Sequence, residues 1–253
     1  MTQFTLNGKN AAIIGGSSGI GLSLAHGLQQ AGAHVVIISR TASKVEAAVA
    51  DLKKEGGAAI GYSADVRDVP NLNELSSRIE AECGPVDILI NCQGVTALKP
   101  ALEFTETDYD TIMDTNLRSV FFSCLAFGRQ MVERKAGCVI NIASLAAHRG
   151  WPLALPYSIS KHGVVGLTKT LAAEWAEHGV RVNAISPGFF ITELNRDKMA
   201  PERKSRALSR TPAGRFGAVE ELIGAAVYLS APASGFVTGA ILNVDGGYLA
   251  SGI

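Results

Sequence analysis

The chain has 253 residues, 47% hydrophobic and 18% charged, with 23 Lys plus Arg against 23 Asp plus Glu. That composition suits a globular protein with a large core, and the balanced charge excludes a global attraction for nucleic acid or an anionic membrane. No apolar run approaches the roughly 18 residues that span a bilayer and no secretory signal is visible, so a cytoplasmic protein is expected. Along the chain, short apolar runs alternate with longer helical patterns. Residues 10–15 read as a strand and 19–31 as a helix; 34–39 and 43–55 repeat the pair, as do 58–63 and 71–83. The strand-like run 86–91 precedes a long helical stretch, 109–135; then come 137–144, the helical 157–178, the strand-like 180–186, the helical 219–230 and a last run, 240–246. Runs apolar on both faces suit a parallel sheet covered by helices. The alternation predicts a single α/β domain over 1–253, a Rossmann-type doubly wound parallel sheet of about seven strands with helices on both faces. The least patterned part, 189–216, reads as a lid beyond the strand ends.

Three local patterns carry chemistry. "GGSSGIG" (15–21) falls between the first strand and first helix, where backbone N–H groups and the helix dipole face a phosphate. Its glycines, Gly15, Gly19 and Gly21, do not match the GxGxxG spacing. "YSISK" (157–161) puts Tyr157 and Lys161 four apart on one helical face. A cation beside a phenol favours the phenolate, which makes a Tyr usable as an acid or base near neutral pH. The second strand ends in Ser39 and Arg40, where a carboxylate would reject a 2′-phosphate and a guanidinium would hold one. Cys83, Cys92, Cys124 and Cys138 have neither CxxC spacing nor His partners; they read as reduced thiols, and no metal site is expected.

Together these residues resemble the short-chain dehydrogenase/reductase family over essentially the whole chain. Its glycine pattern TGxxxGxG is met except that Ile14 replaces the Thr, and Ser17, Ser18 and Ile20 complete the turn. Asp65 and Val66 look like its adenine-contacting strand end. "NCQG" (91–94) matches its NNAG element in Asn91 and Gly94, with Cys92 and Gln93 as departures. Asn116 and Ser144 fall on its catalytic Asn and Ser, Ser144 thirteen residues before Tyr157. "PGFFIT" (187–192) looks like its PGxxxT segment, bringing Pro187, Gly188, Phe190 and Thr192 beside a nicotinamide. The resemblance implies hydride transfer between NADP(H) and a secondary alcohol or ketone, with NAD left open. Tyr157 would move the proton. Lys161, with the oxidised nicotinamide, would lower the Tyr pKa and hold the ribose. Ser144 would bind the substrate oxygen, and Asn116 would interrupt its helix and hold a water that passes protons to Lys161.

Gln93, His148 and Trp151 are expected against a small-molecule substrate. In the lid, Arg196, Lys198, Arg203, Lys204, Arg206, Arg210 and Arg215 outnumber Glu193, Asp197 and Glu202, which suits an anionic substrate or a solvated helix face. The later segments are most similar to gluconate 5-dehydrogenase-like sugar-acid and polyol members. The 3-oxoacyl carrier-protein reductases are nearly as similar, and a general carbonyl reductase stays open beside them. A redox-sensing binding module would tend to lose the Ser or Tyr, which this chain keeps. The family resemblance also implies a homotetramer through 109–135, 157–178 and the C-terminal strand region.

Overall fold

The computed structural model describes residues 2–191 and 201–251. Seven strands form one parallel sheet: β1 (Asn10–Ile14), β2 (His34–Ser39), β3 (Ala59–Ser63), β4 (Ile88–Asn91), β5 (Gly137–Ile142), β6 (Val180–Pro187) and β7 (Ile241–Val244). Their order is β3-β2-β1-β4-β5-β6-β7. The chain winds outward from β1 in one direction and, from β4, in the other. The switch point between β1 and β4 opens a crevice at the carboxyl ends of the strands, where ligands bind in such sheets.

Alternation within the strands builds two cores, one on each face. Ala12, Ile14, Val36, Ile38, Leu89 and Val139 turn to the face covered by α3 (Val69–Cys83), α5 (Ser119–Glu133) and α6 (Leu155–Trp175). Ala11, Ile13, Val35, Ile37, Ile88 and Ile140 turn to the other, covered by α1 (Gly19–Gln30), α2 (Ala42–Lys54) and α8 (Ile223–Ser230). Strands buried on both sides have no polar face, which is why they read as continuous apolar runs.

One helical expectation needs correcting, and the least patterned stretch holds a helix of its own. The stretch 109–135 is not one helix. It is α4 (Glu106–Met113), a π-helical turn (Asp114–Arg118) and α5, and it begins earlier because Thr105 and Asp108 form a capping box. The lid segment contains α7 (Pro201–Ser209), started by a Pro whose missing N–H costs a first turn nothing. Among the described residues no helix is long and apolar enough to cross a membrane.

Candidate active site

The glycine turn is shaped by what it leaves out. Gly15 has a left-handed φ of 77°, and a Cβ there would lie 2.9 Å from the Gln93 nitrogen. A Cβ on Gly21 would lie 2.2 Å from the Gly15 carbonyl oxygen. The first turn of α1 therefore rests on the loop, and a ligand reaching it meets backbone N–H groups at the positive end of a 12-residue helix. Gly16, unnoticed in the sequence pattern, is as tightly held: its Cβ would come within 2.9 Å of the Ile13 carbonyl oxygen and of Ile37 Cδ1. Ser17 Oγ donates to Ser39 Oγ at 2.9 Å and ties the turn to the end of β2.

A cleft of about 620 Å³ runs from this turn across the strand ends. It brings together Gly15, Ser17, Ser18, Gly19, Ile20, Gly21, Ser39, Arg40, Asp65, Val66, Gly94, Pro187, Gly188 and Phe190. Asn91 is placed differently. Its side chain is buried, donating to Asn141 Oδ1 at 2.9 Å and accepting from Ser123 Oγ at 2.7 Å, so it braces β4 against β5 and α5. Thr192 lies outside the described residues. Thr41, Lys44 and Arg67 also line the cleft and were missed, because nothing in their local pattern separates them from ordinary surface residues. Asp65 is clasped by Arg67, whose Nε donates to it at 2.9 Å; that hydrogen bond holds its carboxyl below the usual range.

On the other side of the switch point, Ser144 follows β5 and caps a 3₁₀ turn, its Oγ accepting from the Ala146 N–H at 3.2 Å. Tyr157 and Lys161 share one face of α6, with Lys161 Nζ 5.8 Å from the phenol ring centre. Lys161 is 4% exposed and donates to the Ile142 carbonyl at 2.7 Å. Burial pulls its pKa down to about 8, against a small opposing effect of Cys92. Burial also pushes Tyr157 up, and the hydrogen-bonded Ser144 side chain pulls it back in part. The expected lowering of the phenol is thus not a property of the chain alone; it leaned on the added charge of an oxidised nicotinamide.

Asn116 is fully buried in the π-turn, where one extra residue swings it inward. Its Oδ1 accepts from Val95 N–H at 2.7 Å, and its Nδ2 donates to the Val95 carbonyl at 2.8 Å and to Ser160 Oγ at 3.2 Å. A Cβ built on Gly94 would stand 3.5 Å from Asn116 Oδ1 and 3.7 Å from Lys161 Nζ. Glycine there keeps a gap between the two.

Of the residues expected against substrate, Trp151 lines the cleft and packs on Phe189 and Tyr248, with ring centres 5.7 and 6.1 Å away. Gln93 also lines it, on the floor beside Gly15. His148 does not; its Nε2 is hydrogen-bonded to Ser186 Oγ at 2.9 Å, which turns it toward β6, and burial lowers its pKa. Arg203, from α7, reaches the cleft half-buried and forms no ion pair among the described residues.

A phosphate cradle and a phenol beside a buried ammonium open onto one crevice, and that combination defines a dinucleotide-dependent oxidoreductase. A family model described as enoyl-(acyl carrier protein) reductase matches residues 14–249. The chain belongs to the short-chain dehydrogenase/reductase family, whose members use a nicotinamide cofactor on CH–OH groups. It is 42% identical over 249 residues to gluconate 5-dehydrogenase of Gluconobacter oxydans, covering 98% of this chain and 97% of that protein. It is equally identical over 247 residues to 5-keto-D-gluconate 5-reductase of Escherichia coli, covering 97% of each. A crystal structure of a gluconate 5-dehydrogenase from Burkholderia cenocepacia, in complex with NADP and tartrate, matches with a TM-score of 0.96 at 38% identity, covering 99% of each chain.

Proposed function

We propose that the chain is an NADP(H)-dependent oxidoreductase that interconverts a ketone and a secondary alcohol on a sugar acid or polyol. The observation that carries the reading is the meeting of Ser144, Tyr157 and a buried Lys161, its Nζ 5.8 Å from the phenol ring centre, in one cleft with the glycine turn. The comparisons support the substrate class: relatives matched over nearly their whole length are named gluconate 5-dehydrogenase and 5-keto-D-gluconate 5-reductase.

The residues fit the dinucleotide. Backbone N–H groups of the glycine turn would take the pyrophosphate, and Gly21 leaves that turn free of side chain. Arg40 and Lys44, neither in an ion pair among the described residues, stand beside Ser39 where a 2′-phosphate would lie. Asp65 offers that phosphate little repulsion, since Arg67 already compensates its charge. The bound nicotinamide supplies or accepts the hydride. Tyr157 gives its proton to the developing alkoxide in reduction and receives the alcohol proton in oxidation. Ser144 donates to the same oxygen and stabilises the charge as it grows. Lys161 provides the nearest cation, and the gap kept by Gly94 suits a water joining it to Asn116.

The same reading takes residues 1–253 as one catalytic domain with a lid at 189–216. Unpaired Cys83, Cys92, Cys124 and Cys138 suit a reducing cytoplasm. Phe121, Leu155 and Ile159 are exposed apolar side chains on α5 and α6, which suits helix-to-helix assembly into a homotetramer. The test is reduction of 5-keto-D-gluconate with NADPH and with NADH. Turnover should favour NADPH, and Tyr157→Phe should cost roughly 10²–10⁴ in rate. Faster reduction of a 3-oxoacyl thioester, or near-normal turnover by the variant, would overturn the reading.

A further inference from the structure

We infer that Gln93 is an additional cofactor-binding residue, its side-chain carbonyl accepting a hydrogen bond from a ribose hydroxyl of the dinucleotide. The inference rests on the dinucleotide reading of the cleft. Gln93 follows β4 at the switch point and is only 9% exposed. Its Nε2 donates to Ser119 Oγ at 3.1 Å, and Ser119 Oγ donates to the Thr115 carbonyl at 2.7 Å. A hydroxyl has a single proton, so Ser119 can only accept from Gln93. This fixes which end of the amide faces α5, a choice that is usually ambiguous. The other end, Oε1, is shut away from solvent and has no partner among the described residues. Ser123, one turn further along α5, donates to Asn91 Oδ1 and sits near two backbone carbonyls, so it does not serve Gln93. A buried acceptor left unpaired is costly, and beside the cleft a ligand hydroxyl is a partner that would relieve that cost.

The chemistry of that partner follows from the place. Gln93 lines the cleft against Gly15, whose absent Cβ would lie 2.9 Å from its backbone nitrogen. Dinucleotide phosphates near the turn carry no proton to give at neutral pH. The riboses on either side carry hydroxyls that do. A sugar-acid substrate also has hydroxyls, but its reacting oxygen belongs with Ser144 and Tyr157, after β5 and on α6.

Gln93→Met keeps the length of the side chain and removes the acceptor. Binding of NADPH without substrate, followed by tryptophan fluorescence, should weaken about threefold to tenfold, the worth of one neutral hydrogen bond. The melting temperature of the ligand-free variant should hold or rise, while its increase on adding NADPH should shrink. Gln93→Ala repeats the measurement should the Met variant fold poorly. Titration with 2′,5′-ADP and with reduced nicotinamide mononucleotide separates the two riboses: the weakened fragment identifies the donor. NADPH affinity within twofold of wild type overturns the inference and assigns Oε1 to a water. A rise confined to the substrate KM also overturns it, by moving Gln93 to the substrate. Failure of the wild type to bind NADPH is a separate outcome, which sinks the dinucleotide reading itself.

Discussion

Lys161 sets burial against charge. Four residues after Tyr157 on a helix, it was legible as that residue's neighbour from spacing alone. Its depth was not. The side chain runs under the cleft to the Ile142 carbonyl, and loss of water brings its pKa to about 8. The sign of the linkage follows. Between about pH 8 and the ordinary lysine value of 10.5 the folded chain binds fewer protons here than the unfolded one, so stability rises with pH across that window. Below it, the cost of the buried charge is fully present. Lys161→Met removes this dependence. Comparing urea unfolding of the two ligand-free proteins at pH 7.5 and 9.5 should show wild type gaining on the variant, toward on the order of 3 kcal/mol across the full window. Thiols and phenols that titrate nearby are common to both. An unchanging difference would mean that the ammonium is better solvated than its burial implies. Tyr157 teaches the converse: the sequence supplied the partner that lowers a phenol, while the packing that raises it depends on the whole cleft.

At the scale of elements, the seven strands were legible to within about two residues; the central ones, buried on both faces, have no polar alternation to blur their ends, whereas the edge strands β3 and β7 are only partly buried. The stretch 109–135 was misread for a related reason. Its apolar spacing continues through Asp114–Arg118, and a single added residue leaves too small a phase change to register, though family resemblance placed Asn116 at a break. The bracing role of the Asn91 side chain was not legible, because a motif gives a residue's position and not the direction of its side chain. Glycines separate shape from chemistry most cleanly. Gly21→Ala drives a methyl into the Gly15 carbonyl, so it should cost about 1–3 kcal/mol of stability and weaken NADPH binding as the turn shifts. Gly94→Ala meets only ordinary contacts and should fold within about 0.5 kcal/mol of wild type. Its methyl nevertheless occupies the gap between Asn116 and Lys161. A fall in kcat of about 10²-fold, with the melting temperature unchanged, is the expected signature of a blocked proton path. Full activity in Gly94→Ala would remove that gap from the mechanism.

For the molecule as a whole, balanced charge hides a local asymmetry. With 23 charges of each sign the chain has no long-range pull on an anion. Yet the cleft gathers Arg40, Lys44, Arg67, Lys161 and Arg203 against Asp65 alone, and Arg67 is spent on that carboxylate. The sequence pointed to excess basic residues in the lid, of which Arg196 and Lys198 lie outside the described residues; folding separates two of the others. Arg215 pairs with Glu221 at 2.6 Å on the surface, whereas Arg203 is carried by α7 into the cleft without an ion pair among the described residues. Such a field is short in reach, since screening at physiological salt acts over about 8 Å, so only an anion already at the mouth is drawn in. With NADPH saturating, kcat/KM for 5-keto-D-gluconate should fall several-fold as ionic strength rises from about 0.01 to 0.15 M, the Debye length shrinking from about 30 to 8 Å. A neutral ketone of similar size should show little change. Arg203→Ala should flatten the salt dependence for the acid and leave the neutral ketone alone. Should the acid and the neutral ketone respond alike to salt, the charge of the substrate would play no part in recognition. The aromatic wall of Trp151, Phe189 and Tyr248 would then be the feature that selects what enters.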